Sequence, residues 1–263
     1  MTLPEIPPIP PGVEPETESA GGRAPDSKKA SAWGYISLLA LLAILVLPPL
    51  LVVRYAGARP ALIIAGAGVW AVSVAIKHPL ALLLSRLMGS RMALPGRSVA
   101  QGMLSAICEL SAAGLYFLLR PPSGWNNVVA FGIGAGCIEV VYVLVLGIVE
   151  GIRGRDPDLD AAWLAGAKCS LCVRYSVPLE RLLALIGHTA SRGLVYAGVS
   201  AYSGLRLVLC LAVLLFAAVD GVSYYGLKTE WDWSSPSLCR RFYSFIGGIS
   251  LIEAAVLVLL WMR

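Results

Sequence analysis

Charged residues and histidines are scarce in this sequence. Asp, Glu, Lys and Arg make up 14% of its 263 residues, two residues are histidine, and 57% are hydrophobic. A soluble domain carries about 25% charged residues, so this composition excludes a large soluble core and favours a membrane protein. The net charge of +5 lies in alternate loops and forms no basic groove interleaved with aromatic rings. Nucleic acid is therefore not an expected partner.

The six cysteines do not form a disulfide scaffold, because too few of them lie outside the apolar runs of this chain. Three are expected to act as small hydrophobic residues within those runs: Cys108, Cys137 and Cys210. Cys169 and Cys172 form a single C-x-x-C pair, and Cys239 stands alone. A zinc site of the usual kind needs a second pair, so a metal or redox role is only weakly indicated.

Residues 1–32 contain no apolar run, are rich in proline and carry scattered charge. This composition predicts a disordered cytoplasmic tail. A cleaved signal peptide is not expected, because its basic segment and apolar stretch should come at the start of the chain. Residues 33–263 form the predicted transmembrane domain, and the longest internal loop, 150–177, is too short for a separate soluble domain.

Seven apolar runs follow the tail. Each approaches the roughly 20 residues that a helix needs to cross about 30 Å of hydrocarbon. The fold class is therefore predicted to be all-α, a polytopic bundle of about seven transmembrane helices. The second run is followed by His78–Met88, which is expected to form a shorter interfacial or re-entrant piece. The predicted runs are Trp33–Ala56, Pro60–Lys77, Ser98–Leu119, Asn127–Val149, Pro178–Gly198, Leu205–Gly226 and Phe242–Met262.

Basic residues are unevenly divided between the two sides of such a bundle. Of the 21 Lys and Arg residues, fifteen fall on the side of the amino terminus, five fall on the other side, and Arg192 lies inside the fifth run. The fifteen include Lys77, which is assigned to the segment after the second run. Lys and Arg concentrate on the cytoplasmic side of membrane proteins. The count therefore predicts a cytoplasmic amino terminus and an outer carboxyl terminus.

The fifth run carries several ionisable side chains. At about 100° per residue, Arg181, His188 and Arg192 fall on one narrow stripe, with Glu180 beside it. An ionisable group at the bilayer midplane costs roughly 2.5–3.5 kcal/mol. The stripe is therefore predicted to face protein or water, with partners supplied by the other helices.

Four other runs carry an acid inside them. Glu109 lies at the middle of the third run, Glu139 in the fourth, Asp220 toward the end of the sixth and Glu253 within the seventh. Such groups usually pair with one another and mark a pathway, a relay or a catalytic centre. A structural alternative is a buried pair of Arg192 with Glu109 or Asp220 that fixes helix register. Glu253 has no distinctive neighbours, which favours a structural role.

Other residues of these runs also have structural explanations. Glu180 and Arg181 lie near the cytoplasmic end of the fifth run and can extend toward its boundary with water. Gly132, Gly136 and Gly193 stand at spacings typical of close helix packing.

Three polar residues are candidates for a metal centre. Glu109, Glu139 and His188 lie near mid-depth of three consecutive runs. They offer two carboxylates and one imidazole to a divalent metal, zinc above all, with one glutamate activating water. A zinc site would normally contain a second histidine, and the only other one is His78. A serine nucleophile is not indicated, because Ser191 lacks a base held by a third orienting group.

Two segments occur in an order that matches a known family. They are Phe131–Glu139 (FGIGAGCIE) and Glu180–His188 (ERLLALIGH), with weaker support from Glu109 and Asp220. Together they resemble the YhfC family of intramembrane metalloproteases, relatives of the CPBP/CAAX-protease group. The resemblance implies a metal-dependent peptidase acting on a membrane-protein or peptide substrate. It implies catalytic roles for Glu109, Glu139, Glu180 and Arg181, metal ligation by His188, Glu139 and Glu109, and support from Asp220 and Arg192.

The sequence departs from the family pattern at four positions. Leu110 and Ala113 replace a glutamate and an arginine of the third run, and Ala135 and Phe216 replace histidines. A centre without these groups holds its ion more weakly or not at all. The resemblance therefore implies either an active metallopeptidase or a catalytically inactive member of the fold that binds a membrane partner or lipid in the same cavity.

A small proton-coupled transporter is the alternative from another class. In that hypothesis Glu109, Glu139 and Asp220 relay charge, and Arg192 tunes their proton affinity. The sequence shows no convincing inverted repeat, which many carriers contain. All three hypotheses place the chain in the cell membrane with the lipid bilayer as a partner. The oligomeric state is not predicted.

Overall fold

A computed structural model describes residues 27–88, 92–153, 157–200 and 206–262. Over these ranges the regular secondary structure is entirely helical, with no strand. The helices are α1 (Ser27–Ala56), α2 (Pro60–Met88), α3 (Leu94–Leu119), α4 (Trp125–Arg153), α5 (Pro157–Cys169), α6 (Leu171–Arg174), α7 (Ser176–Val199), α8 (Arg206–Lys228) and α9 (Pro236–Trp261).

Seven of these helices are long and apolar enough to cross a membrane. They are α1, α2, α3, α4, α7, α8 and α9, and the short helices α5 and α6 stand between the fourth and fifth of them. Large apolar side chains such as Leu39, Ile64 and Leu118 are exposed on the outside of the bundle. Apolar side chains are suited to contact with lipid tails. The predicted all-α, multi-pass membrane architecture is confirmed.

Successive spans run in opposite directions. Lys77 of α2 contacts Glu109 of α3, and Ser85 contacts Gln101, so residue numbers rise along one helix as they fall along the other. Alternate spans are parallel, since Leu183 and Gly193 of α7 lie beside Ser250 and Leu257 of α9 in the same order. This up-and-down order places the first residues of α3, α7 and α9 at one end of the bundle.

The two ends of the bundle differ. We call the end with Leu94, Ser176 and Pro236 the proximal face, and the end with the first residues of α2, α4 and α8 the distal face. The short helices α5 and α6 lie at the proximal face, where Val173 packs against Phe242 near the start of α9. The proximal ends of α7 and α9 are therefore covered by an additional helical layer.

Glycines let α4 lie very close to two neighbouring helices. A Cβ atom on Gly134 would lie 2.0 Å from the carbonyl oxygen of Ile63 in α2, and one on Gly132 would lie 2.5 Å from the Cα of Thr189 in α7. Small residues at such positions permit backbone contact between membrane helices. Gly132 and Gly134 therefore fix internal contacts of the bundle, and a bulky residue at either position would disturb the fold whether or not a partner binds.

The second predicted run is wrong at its carboxyl end. His78–Met88 is not a separate piece but the continuation of α2, which contains Pro79. A proline removes one helix hydrogen bond and is tolerated in membrane helices when the apolar sequence continues beyond it. Lys77 therefore lies inside the second span and not in the loop to which the sequence assigned it.

Two other predicted boundaries differ from those in the structure. Helix α1 begins at Ser27, and α9 begins at Pro236. The loop predicted at 150–177 contains α5 and α6. The prediction of a disordered tail concerns residues 1–32, of which 1–26 lie outside the described residues, whereas 27–32 belong to α1.

Aromatic rings fill the distal half of the bundle. The ring centroids of Phe117 and Phe131 are 4.7 Å apart, and Tyr196 lies 5.6 Å from Phe117. Tyr116 stacks on Phe131 at 4.9 Å, and Trp125 meets Tyr196 edge-on at 5.2 Å. We call these five residues the distal aromatic cluster. They lie within about two turns of the distal ends of α3, α4 and α7.

Candidate functional site

Glu139 of α4 is held by two side chains of α7. Its Oε1 accepts a hydrogen bond from Arg181 Nη1 at 3.0 Å, and its Oε2 lies 2.7 Å from His188 Nε2. Arg181 also donates to Glu180 Oε1 at 2.6 Å. Arg181 and His188 stand two turns apart on one face of α7, and that face is turned toward α4. The polar stripe of the fifth run therefore faces protein, as its sequence predicts.

Glu109 of α3 is the centre of a second set of charges. Its Oε1 accepts from Lys77 Nζ at 2.6 Å, and its Oε2 accepts from Arg192 Nη2 at 2.9 Å. The side chains of Glu109 and Arg192 are only 3% and 2% exposed. They therefore form a fully enclosed ion pair between α3 and α7. This is one of the two pairings of Arg192 that the sequence offers as a structural alternative.

Ser105 connects this second set to Asp220 of α8. Its Oγ accepts from Lys77 Nζ at 3.0 Å and donates to the carboxylate of Asp220. Lys77 Nζ also lies 4.0 Å from Asp220 Oδ2. The close approach of α3 to α8 depends on Gly102, because a Cβ atom there would lie 2.1 Å from the carbonyl oxygen of Ala217 in α8.

Ser191 and Phe216 lie between the two sets. Arg192 Nη1 donates to Ser191 Oγ at 3.1 Å, and that hydroxyl donates to the carbonyl oxygen of His188 at 3.3 Å. The Phe216 ring lies 5.9 Å from the His188 ring and 5.2 Å from the guanidinium carbon of Arg192. The connected residues, from five helices, are here named the buried charge network: Lys77, Ser105, Glu109, Glu139, Glu180, Arg181, His188, Ser191, Arg192 and Asp220.

The buried charge network opens toward the proximal face. Its most exposed acids are Glu180 and Asp220, whose side chains are 38% and 34% exposed. Glu180 lies in the second turn of α7, and Asp220 lies about two turns before the end of α8, so both are on the proximal side. Glu109 and Arg192 are enclosed, and the distal aromatic cluster packs beyond them. The most exposed acids of the network thus lie in the proximal half of the bundle, and its enclosed ion pair lies deeper.

The structure brings all the site residues proposed from the sequence into one network, as two sets of ion pairs linked by the Ser191 hydroxyl. His188 and Glu139 are in direct contact, whereas the hydrogen bonds and ion pairs of Glu109 within the described ranges go to Lys77, Ser105 and Arg192. Sequence reasoning missed Lys77 and Ser105. For Lys77 the signal was available, because the apolar sequence continues beyond Pro79.

Three buried polar atoms in or close to this region have no hydrogen-bond partner among the described residues. They are Nε of Arg181, Nδ1 of His188 and Oε1 of Glu253 in α9. Glu253 is 2% exposed, and no ion pair within the described ranges joins it to the buried charge network. An unsatisfied buried polar group costs about 1–3 kcal/mol.

The predicted metal ligands do not fit a divalent ion as they are arranged. Both carboxylate oxygens of Glu139 contact Arg181 and His188, and both of Glu109 contact Lys77 and Arg192. A metal ligand must direct a lone pair at the ion, and nearby cations oppose the binding of a second positive charge. Among the described residues, no three of His, Cys, Asp or Glu are grouped as metal ligands.

These observations define a class of protein: over the described residues, a helical bundle with seven helices able to span a membrane and a buried network of ion pairs. Comparison of the chain with protein-family models, with curated proteins and with solved structures finds no match. The resemblance to the YhfC family therefore rests on the motif residues alone.

Metal analysis can test whether the predicted ligands bind an ion. We expect protein purified in detergent, and protein in lipid nanodiscs, to contain far less than one transition metal per chain, because the carboxylates are occupied by cations. Metal content would be measured by inductively coupled plasma mass spectrometry after incubation with zinc and dialysis. One zinc per chain that disappears in His188→Ala would contradict this expectation and support the metallopeptidase hypothesis.

Proposed function

We propose that this protein is a proton-coupled membrane carrier in which the buried charge network takes up one proton and exchanges its ion pairs in response. The proposal depends on the charge count of the network. Three of its side chains are cations and four are carboxylates: Lys77, Arg181 and Arg192 against Glu109, Glu139, Glu180 and Asp220. With His188 neutral, the network is one positive charge short of balance.

One proton corrects this imbalance. An uncompensated charge is costly inside a membrane protein, so a buried network that lacks one positive charge favours binding a proton. The 2.7 Å contact between His188 Nε2 and Glu139 Oε2 is where we place this proton, because either atom can carry it. The excess carboxylate lies in the set of Glu139, Glu180 and Arg181, where two acids contact one guanidinium. The exposure of Glu180 reduces the cost of this imbalance.

The position of the proton determines which helices are held together. An ionised Glu139 binds Arg181 and His188 and so ties α4 to α7. A proton on Glu139 would remove the attraction to Arg181, whose remaining carboxylate partner is Glu180 on its own helix. Exchange between two such pairings can move one helix against another. The network thus supplies a physical link between proton binding and a conformational change.

The one-sided opening corresponds to one state of a carrier that opens alternately to the two sides. Polar access comes from the proximal face, and the distal aromatic cluster closes the other half. With a cytoplasmic amino terminus, which we retain as part of the proposal, the proximal face lies in the cytoplasm. The transported molecule would then enter from the cytoplasmic side, after the helices of the protein separate.

Proton uptake by reconstituted protein tests the proposal. Liposomes containing the purified chain and a pH-sensitive dye would be given an alkaline interior, and the fall of internal pH would be followed. We expect Glu139→Gln to slow uptake at least about tenfold, the effect of about 1.4 kcal/mol on a barrier. Glu150→Gln is the matched control, since it is an exposed acid at the end of the same helix and should leave the rate unchanged.

Two results would overturn the proposal. One is uptake by the unaltered protein that equals uptake by empty liposomes. The other is equal uptake by Glu139→Gln and the unaltered protein when both give the same monodisperse elution profile. The profile distinguishes loss of transport from loss of folding.

The relationship to the YhfC family remains a proposal about ancestry. It is supported by the convergence of the motif residues, because Glu139, His188, Arg181 and Asp220 all join one network. Peptidase activity requires the metal that the arrangement does not fit, so cleavage of a membrane-protein or peptide substrate is not the function we favour. A non-cleaving member of that fold, binding lipid or a membrane partner, would have the same bundle but would not take up protons.

A further inference from the structure

Two free cysteines that are distant in sequence meet at the proximal face. Cys172 of the short helix α6 and Cys239 in the first turn of α9 have their Sγ atoms 3.2 Å apart. A disulfide has an S–S length of about 2.05 Å, so the two sulfurs need to approach by about 1 Å. The C-x-x-C partner that the sequence suggests for Cys172 is Cys169, yet the structure places Cys172 against Cys239.

The surroundings hold the two thiols in place while leaving one of them reachable. Cys239 is 1% exposed and belongs to an apolar cluster with Val173 and Phe242, whereas Cys172 is half-buried at the edge of that cluster. Cys169 is exposed. A soluble reagent can therefore reach Cys172 first, and Cys239 is positioned to react with Cys172 from within.

We infer that Cys172 and Cys239 form a reversible disulfide by exchange with a low-molecular-weight disulfide. The Cys172 thiolate attacks one sulfur of the reagent, which releases one thiol and leaves a mixed disulfide. Cys239 then attacks Cys172 Sγ, its proton passes to the leaving thiol, and the S–S bond joins α6 to α9. Two thiols of the chain are oxidised and one small disulfide is reduced to two thiols.

Peptide mapping after treatment with glutathione disulfide tests this inference. Cleavage after Lys and Arg puts Cys169 and Cys172 on the fragment 169–174 and Cys239 on the fragment 229–240. We expect mass spectrometry of the alkylated, unreduced digest to show these two fragments joined, and dithiothreitol to separate them. Cys169→Ser should retain the joined fragments, whereas Cys172→Ser should lose them.

The inference is overturned by any of three results. The unaltered protein could carry only glutathione adducts, it could form a bond within fragment 169–174, or the cross-link could survive in Cys172→Ser and vanish in Cys169→Ser. Reversal by dithiothreitol is followed in the unaltered protein, so the inference stays testable if a variant fails to fold. None of these outcomes depends on proton transport.

Discussion

Replacing Glu109 with glutamine should destabilise the protein by about 3–5 kcal/mol, the usual cost of removing one partner from a buried ion pair. Glutamine preserves the shape of the side chain but removes the carboxylate that contacts Arg192. The remaining contacts of Arg192 include a Ser191 hydroxyl and the ring of Phe216, neither of which carries a compensating charge. The measurement is thermal unfolding of the detergent-purified chain, followed by intrinsic fluorescence.

The reciprocal substitution, at Arg192, should lower the free energy of unfolding by less. Arg192→Gln leaves Glu109 with its 2.6 Å contact to Lys77, so the carboxylate keeps a cation. In the double variant no guanidinium is left unpaired, and we expect part of the loss to be recovered. Arg241→Gln, on an exposed residue of α9, is the control and should stay within about 0.5 kcal/mol. Simple additivity in the double variant would show that the pair is not coupled. Equal losses for the two single variants would contradict the expected asymmetry between them.

Gly134→Ala should disrupt the contact between α2 and α4. The added Cβ would lie 2.0 Å from the carbonyl oxygen of Ile63, which is backbone and cannot turn aside. The helices must separate, and overpacking of this kind typically costs 1–3 kcal/mol and occasionally more. Gly66→Ala should have a similar effect from the opposite helix, where the added atom meets the Phe131 carbonyl oxygen at 1.9 Å. Thermal unfolding and the yield of monodisperse protein would measure the loss of stability in both variants.

Gly147→Ala is a matched control on the same helix. No atom lies within 4 Å of the added Cβ, so the substitution changes only the local preference of α4 for the helical state. In a helix interior alanine is favoured over glycine by about 1 kcal/mol. We therefore expect Gly147→Ala to be neutral or slightly stabilising. A loss of stability at Gly147 equal to that at Gly134 would indicate that helix contact is not the cause.

The spans were predictable because hydrocarbon leaves the backbone few choices. A chain in the bilayer must satisfy its polar backbone groups within each helix, so long apolar runs identify the helices directly. Their ends were harder to predict. The sequence prediction ends the second run at Lys77, although the apolar residues after Pro79 continue α2. The same error assigned Lys77 to a loop and hid it as a partner of Glu109.

The members of the site were more predictable than their pairing. The depth of a residue along its span follows from sequence position, which is why Glu109, Glu139 and His188 were expected near one level. The rotation of each helix about its axis depends on side-chain packing that no single run reveals. Glu139 therefore meets Arg181 and His188, whereas Glu109 turns toward Lys77 and Arg192. Lone carboxylates expected around a metal are instead paired with cations.

The depth of His188 within the bundle makes proton binding there sensitive to the membrane potential. Moving one elementary charge through a membrane potential of 100 mV is worth about 2.3 kcal/mol. In the proposed carrier, a proton that enters from the proximal face and binds at the contact of His188 with Glu139, near the middle of α7, would cross about half of the voltage drop. Its binding then gains or loses on the order of 1 kcal/mol per 100 mV, depending on polarity. Occupancy of the site would therefore follow voltage as well as acidity.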